Sequence, residues 1–152
     1  MSNLDELLRP TVVAEQKRRL PWRVSSQFWV AFFGGVPAVT AIAFLNARRL
    51  GATGRKQGWI LLAAVAAVFV YVALFAAMRA MDGAPQLMRI AGRAVAVALY
   101  LVLAQIQRED DGRHQVFGSG QYASLWIPGI LATVLSAALL IGSALGLLRL
   151  FA

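Results

Sequence analysis

A chain of 152 residues with 59% hydrophobic and 14% charged residues departs from a soluble domain, which carries roughly 25% charge. Its net charge of +8 comes from 15 basic against 7 acidic residues, but the basic residues flank apolar runs rather than line one surface. That distribution argues against a nucleic-acid partner, and the absence of cysteine excludes disulfides, thiolate metal sites and cysteine nucleophiles.

Residues 1–27 read as a polar, basic tail. Leu4, Leu7 and Leu8 would share a face of one short amphipathic turn limited by Pro10, but so short a helix is marginal alone, and a frayed tail is expected. Lys17, Arg18, Arg19 and Arg23 form the densest positive cluster, with Trp22 among them as an interfacial anchor. No cleavable leader is expected. The first apolar run starts only at Phe28, exceeds the roughly 7–15 residues of a signal-peptide core, and ends in the basic stop Asn46, Ala47, Arg48, Arg49.

Apolar runs occupy residues 28–45, 59–78, 90–106 and 125–148; none contains Asp, Glu or Lys, and only the third contains an Arg, Arg93. A spanning helix needs about 20 predominantly apolar residues. The expected fold is therefore all-α, a polytopic transmembrane helical bundle with four membrane segments formed by residues 28–150. A mean hydropathy of +0.65 agrees with that class.

The first run carries Gly34, Gly35 and Pro37 at its middle, so the carbonyl of Phe33 loses its helical donor. Two geometries accommodate this: a kinked span, or a re-entrant hairpin that enters and leaves on one face. The loop 46–58 is basic through Arg48, Arg49, Arg55 and Lys56. The second run offers Ala63, Ala66, Ala67, Ala73, Ala76 and Ala77 for close helix packing. A tight turn from Met81 to Pro85 sets the second and third runs antiparallel.

In the third run Arg89 and Arg93 lie four apart on one helix face, and the stretch after Arg93 is only about 13 residues, roughly 20 Å. It crosses a bilayer if both arginines snorkel to headgroups. A mixed-charge loop is expected from Arg108 to Ala123, with Gly118 and Gly120 keeping it flexible. Ser124 can cap the fourth run, with Trp126 at the interface and Pro128 in the first turn.

Charge bears on sidedness. Four crossings put Arg9, Lys17, Arg18, Arg19, Arg23, Arg79, Arg89, Arg93 and Arg149 on one side, nine basic residues. Arg48, Arg49, Arg55, Lys56, Arg108 and Arg113 face them, six in all. A hairpin changes the split to eleven against four, leaving only Arg79, Arg89, Arg93 and Arg149 opposite the tail. The charge rule prefers the hairpin and backbone hydrogen bonding prefers the kinked span. Unmet backbone bonds in lipid cost several kcal/mol each, so the kinked span is the expectation, with both termini cytoplasmic.

Chemistry is sparse. His114 stands near Glu109, Asp110 and Asp111 at a spacing that suits a metal, but Arg108 and Arg113 would repel a cation, so no metal ligand is assigned. No nucleophile elbow or phosphate-cradling loop is present, so no catalytic residue and no cofactor are assigned. Polar residues within the runs are Thr40, Tyr71, Tyr100, Gln105, Thr133, Ser136 and Ser143, and the lack of an acid at depth argues against proton-coupled transport.

The pattern Phe33, Gly34, Gly35, Pro37, then Asn46 to Gly51, resembles a group of small uncharacterised multi-pass bacterial inner-membrane proteins. His114, Gly118, Gly120, Ala123, Ser124 and Trp126 add a second likeness before the last run. The resemblance implies a bacterial inner-membrane location and carries no activity.

The expected role is non-catalytic: an accessory or assembly subunit of a membrane complex, or a homo-oligomer, with membrane lipids and other subunits as partners. The alternative is a small pore or carrier in which Arg89 and Arg93 meet an anion or lipid headgroup. On the fourth run Gly129, Ala132, Ser136, Gly142, Ser143 and Gly146 are expected to pack against a helix, with Leu125, Leu135, Leu139 and Leu147 toward lipid.

Overall fold

The computed structural model describes residues 20–81, 85–117 and 120–150, excepting the side chains at 85 and from 143 onward. The amphipathic turn expected near Leu4, the Lys17 to Arg19 cluster and the centre of the turn before Pro85 lie outside the described residues. The described chain is a helical bundle. A 3-10 turn, Val24–Ser26, leads into α1 (Gln27–Arg49), followed by α2 (Gly54–Ala80), α3 (Pro85–Phe117) and α4 (Trp126–Leu150). By length and composition Val24–Arg49, Gly54–Ala80 and Gln86–Phe117 could each cross a membrane, and Trp126–Gly142 is a shorter apolar helix.

The first run is not a kinked span. Gln27 near its start and Asn46 near its end both donate to Oε1 of Gln107. A continuous helix would separate those residues by roughly 29 Å, far beyond the reach of two amide side chains. Trp22 N–H meets Asn46 Oδ1, and Arg49 reaches the carbonyl of Leu20, so both ends of α1 lie together. The fold-back occurs at Gly35, where φ is 69° and ψ −166°, a region essentially restricted to glycine. Pro37 then falls where the next half-helix begins, and its missing N–H belongs among groups that a helix start leaves free anyway. The same residues that suggested a kink build a hairpin of two half-helices, 27–34 and 36–49. Neither half is long enough to cross a bilayer, although their combined length qualifies.

The hairpin is the centre of the bundle. Its Ala31, Val39, Ala43 and Ala47 pack with Ile60 and Ala67 of α2 and with Val95, Leu99 and Leu103 of α3. On its other side Val30, Ala38 and Ile42 meet Trp22 and Leu125. Alanine and glycine at these contacts let helices approach closely, which is what holds packed helices together where water does not drive them. Among the described residues α4 touches α1 and neither α2 nor α3. Without the hairpin, α4 would have no helix to rest on.

A second difference concerns the stretch after Ile106. The expected loop from Arg108 is helix as far as Phe117. Side-chain pairing at helical spacing supports it: Arg113 forms an ion pair with Glu109 at 2.8 Å and Gln115 donates a hydrogen bond to Asp111 at 3.2 Å, both four residues apart.

Candidate functional site

The fold-back assembles a polar mouth where both ends of α1 meet α3. Asn46 accepts the Trp22 N–H at 2.6 Å and donates from Nδ2 to Gln107 Oε1 at 2.9 Å. Gln27 Nε2 donates to the same oxygen at 3.4 Å. Gln27 and Asn46 are fully buried, and Gln107 nearly so. Amides neither ionise nor move protons near neutral pH, so this cluster binds chain to chain and offers no acid or base. Arg49 covers the outer side, its guanidinium 3.7 Å from the Trp22 ring centre, within cation–π range.

A charged rim surrounds the mouth. Lys56 at the start of α2 contacts Glu109 and Asp110 of α3, each at 2.9 Å. Tyr122 donates to Asp111 at 3.0 Å, and partial burial, with that carboxylate beside it, raises the Tyr122 pKa. His114 Nε2 lies 3.0 Å from the carbonyl of Gln121, and its ring meets Tyr122 edge-on. Glu109 and Asp110 thus share Lys56, Asp111 and His114 both meet Tyr122, and among the described residues the four do not converge on one point that could hold a metal ion. The backbone of Ala123 bonds that of Pro21 at 2.9 Å, tying the entry of α4 to the segment before α1.

The hairpin tip has its own partner. Breaking the helix at Gly35 frees the carbonyl of Gly34, and Ser136 of α4 donates its hydroxyl to it at 2.7 Å. A Cβ at Gly34 would come 2.5 Å from Ala38 Cβ and 2.8 Å from Thr133 Oγ1, so only glycine fits there. Of the small residues singled out on α4, Gly129 is buried against Val30, Ala132 is partly buried on the same cluster, and Ser136 is buried. Gly142 is different: among the described residues a Cβ there meets open space, so it packs on none of the described helices. Ser143 and Gly146 lie outside the described side chains, as does Leu147. Leu135 and Leu139 face outward, whereas Leu125 is buried against the hairpin, contrary to its expected lipid position.

Ser136→Ala should cost about 0.6 kcal/mol, the usual worth of one hydrogen bond between packed membrane helices. Gly129→Leu should cost more, because a Cβ there is already 3.1 Å from Val30 Cγ2. Overpacking of that kind costs roughly 1–3 kcal/mol. Thermal unfolding in detergent checks both, and equal stability of Gly129→Leu and wild type would refute the contact.

Arg89 and Arg93 are both exposed on α3, and the Arg93 guanidinium lies 5.3 Å from the Phe32 ring centre on the hairpin. The arrangement anchors the third helix against the first half of α1 near its tip.

No protein-family model, curated protein or solved structure matches this chain.

Gln27, Asn46 and Gln107 escaped the sequence reading. They stand just outside the apolar runs, where an amide normally faces water. The available signal was that all three sit at run ends that a hairpin, but not a four-span fold, gathers on one side.

Proposed function

We propose that the chain is a non-catalytic multi-pass membrane protein serving as an accessory or assembly subunit, in a bacterial inner membrane as its sequence resemblance implies. In this reading residues 1–27 form a basic cytoplasmic tail and residues 28–150 one membrane unit. The α1 hairpin re-enters the cytoplasmic leaflet, and α2, α3 and α4 cross. Eleven of the 15 basic residues then belong to the cytoplasmic side. The mouth of the hairpin, with exposed Trp59 nearby, sits at that interface, while Trp22 is buried inside the bundle rather than anchoring at its surface. Arg89 and Arg93 belong to the opposite end of α3, where snorkelling lets a short apolar stretch cross.

The observation that carries the assembly role is the outer face of α2. That helix buries only Ile60, Ala64 and Ala67, and it turns Ala66, Ala73, Ala76 and Ala77 outward. Leucine gains nothing by leaving lipid for another helix, but a small-residue face gains from close backbone approach. The buried polar residues have structural work: Gln27, Asn46 and Gln107 hold the mouth and Ser136 holds the tip.

Native mass spectrometry from mild detergent should show a homo-oligomer or a stable foreign subunit. Ala73→Leu together with Ala77→Leu should release it while leaving the monomer folded. A wild-type protein that flies only as a monomer with no co-purifying chain would overturn the assembly role.

A further inference from the structure

The second half of the hairpin and α2 meet closely near their polar ends, where Ala47, Ala52 and Ile60 are buried together. They leave an apolar groove of about 460 Å³ toward the tip, walled by Pro37, Ala41 and Phe44 on α1 and by Leu61, Val65 and Phe69 on α2. Thr40 also borders it, but its hydroxyl is turned back to the carbonyl of Val36 at 2.8 Å, so the groove has no polar demand. From Phe44 to Val36 it runs about 12 Å along the helix, inward from the polar end toward the hairpin tip.

The charge at its outer end selects the occupant. Residues 37, 41, 44 and 48 follow one helical stripe, which places exposed Arg48 directly above the groove on the same face of α1. Arg55 is exposed on the first turn of α2 at the same level. Among the described residues the acids of this end are engaged elsewhere: Lys56, about 150° around α2 from the groove-facing residues, pairs with Glu109 and Asp110, Arg113 also pairs with Glu109, and Asp111 accepts from Tyr122 and Gln115.

We propose that this groove holds one acyl chain of an anionic phospholipid from the leaflet the hairpin enters, with the headgroup phosphate at Arg48. The chain slots between the half-helix and α2, where a void would forfeit dispersion contacts on both walls. The lipid wedges the hairpin against α2 and fills a concavity that neither helix can close, since closing it would pull α1 away from α4. The proposal rests on the membrane embedding proposed above and is independent of the assembly role.

The test uses the full chain, purified in mild detergent, with phosphatidylglycerol or phosphatidylcholine added, and native mass spectrometry to count lipid adducts and protein copies separately. Wild type should retain one phosphatidylglycerol in preference to phosphatidylcholine. Arg48→Ala should reduce that preference about fivefold, the expected contribution of one arginine at an anionic surface. Ala41→Trp, and separately Val65→Trp, should abolish retention of either lipid by filling the groove from opposite walls. Helical circular dichroism of each variant verifies that it is folded. Equal retention of the two lipids by wild type, or undiminished retention by both tryptophan variants, overturns the proposal. So does a groove occupied by a second copy, seen as a lipid-free dimer that the tryptophan variants dissociate.

Discussion

Single cysteines at Ser25 and Thr53, introduced one at a time into this cysteine-free chain, should react with a membrane-impermeant maleimide from the same side of sealed vesicles. The two positions are exposed and flank α1 on either end. A span would put them on opposite sides, and the outcome is all-or-none. Gly112→Cys on the outer end of α3 should label with them, and Met81→Cys, 81% exposed at the end of α2, should label from the other side. The hairpin resists conversion to a span for identifiable reasons. Straightening would detach Trp22 and Gln107 from Asn46 and Arg49 from Leu20. It would also require Gly35 to enter the helix and Pro37 to sit inside it, at about 3 kcal/mol for the proline alone. Labelling of Ser25→Cys and Thr53→Cys from opposite sides would disprove re-entry.

The largest stability loss should follow Asn46→Leu. This side chain uses its acceptor on the Trp22 N–H and its donor on Gln107. Leucine removes both, leaving a buried N–H without a partner and the Gln107 oxygen with only the longer contact to Gln27. An orphaned buried group costs about 1–3 kcal/mol, so the variant should lose roughly 2–5 kcal/mol. Gln27→Leu should be milder, because its bond is 3.4 Å long. Gly35→Val attacks the other end of the hairpin, and its positive φ should cost about 1–3 kcal/mol. The two sites lie roughly 16 Å apart along the half-helix, so their effects should add. Equilibrium unfolding in mixed micelles measures each of these. An Asn46→Leu variant within about 0.5 kcal/mol of wild type would show that the mouth carries no weight, since that is the scatter of ordinary surface changes.

The two variants separate the roles of mouth and tip. Loss at Asn46 should loosen the N-terminal segment, since Trp22 and Leu20 are held through Asn46 and Arg49. Loss at the tip should be felt by α4 through Ser136 and Thr133, which meet Gly34. Hydrogen exchange at Trp22 and at α4 amides distinguishes the two.

What the sequence determined by itself was the number, place and helical nature of the apolar segments. A helix satisfies its backbone hydrogen bonds within the segment, which long apolar runs without acids need wherever water is excluded, and that requirement is local to each run. Gly34, Gly35 and Pro37 also announced a break, because positive φ and a missing N–H are properties of single residues. The kind of break was not legible. A kink and a hairpin differ in what lies around the freed carbonyls and chain ends, and those groups are Ser136, 102 residues from Gly34, and Gln107, 61 residues from Asn46. Backbone hydrogen bonding favours a span only where lipid surrounds the tip. The fold supplies Ser136 to the Gly34 carbonyl and packs α4 against that side of the tip, so the penalty for that group does not arise. Charge, summed over the whole chain, did favour the hairpin, because such a sum depends on the whole arrangement rather than on any one segment. The extension of α3 to Phe117 was hidden for a related reason. Its helical ion pair and hydrogen bond are each weak, and Lys56 of α2 holds that last stretch in place from outside. Local chemistry chose the elements, and the tertiary structure decided which way the first of them turned.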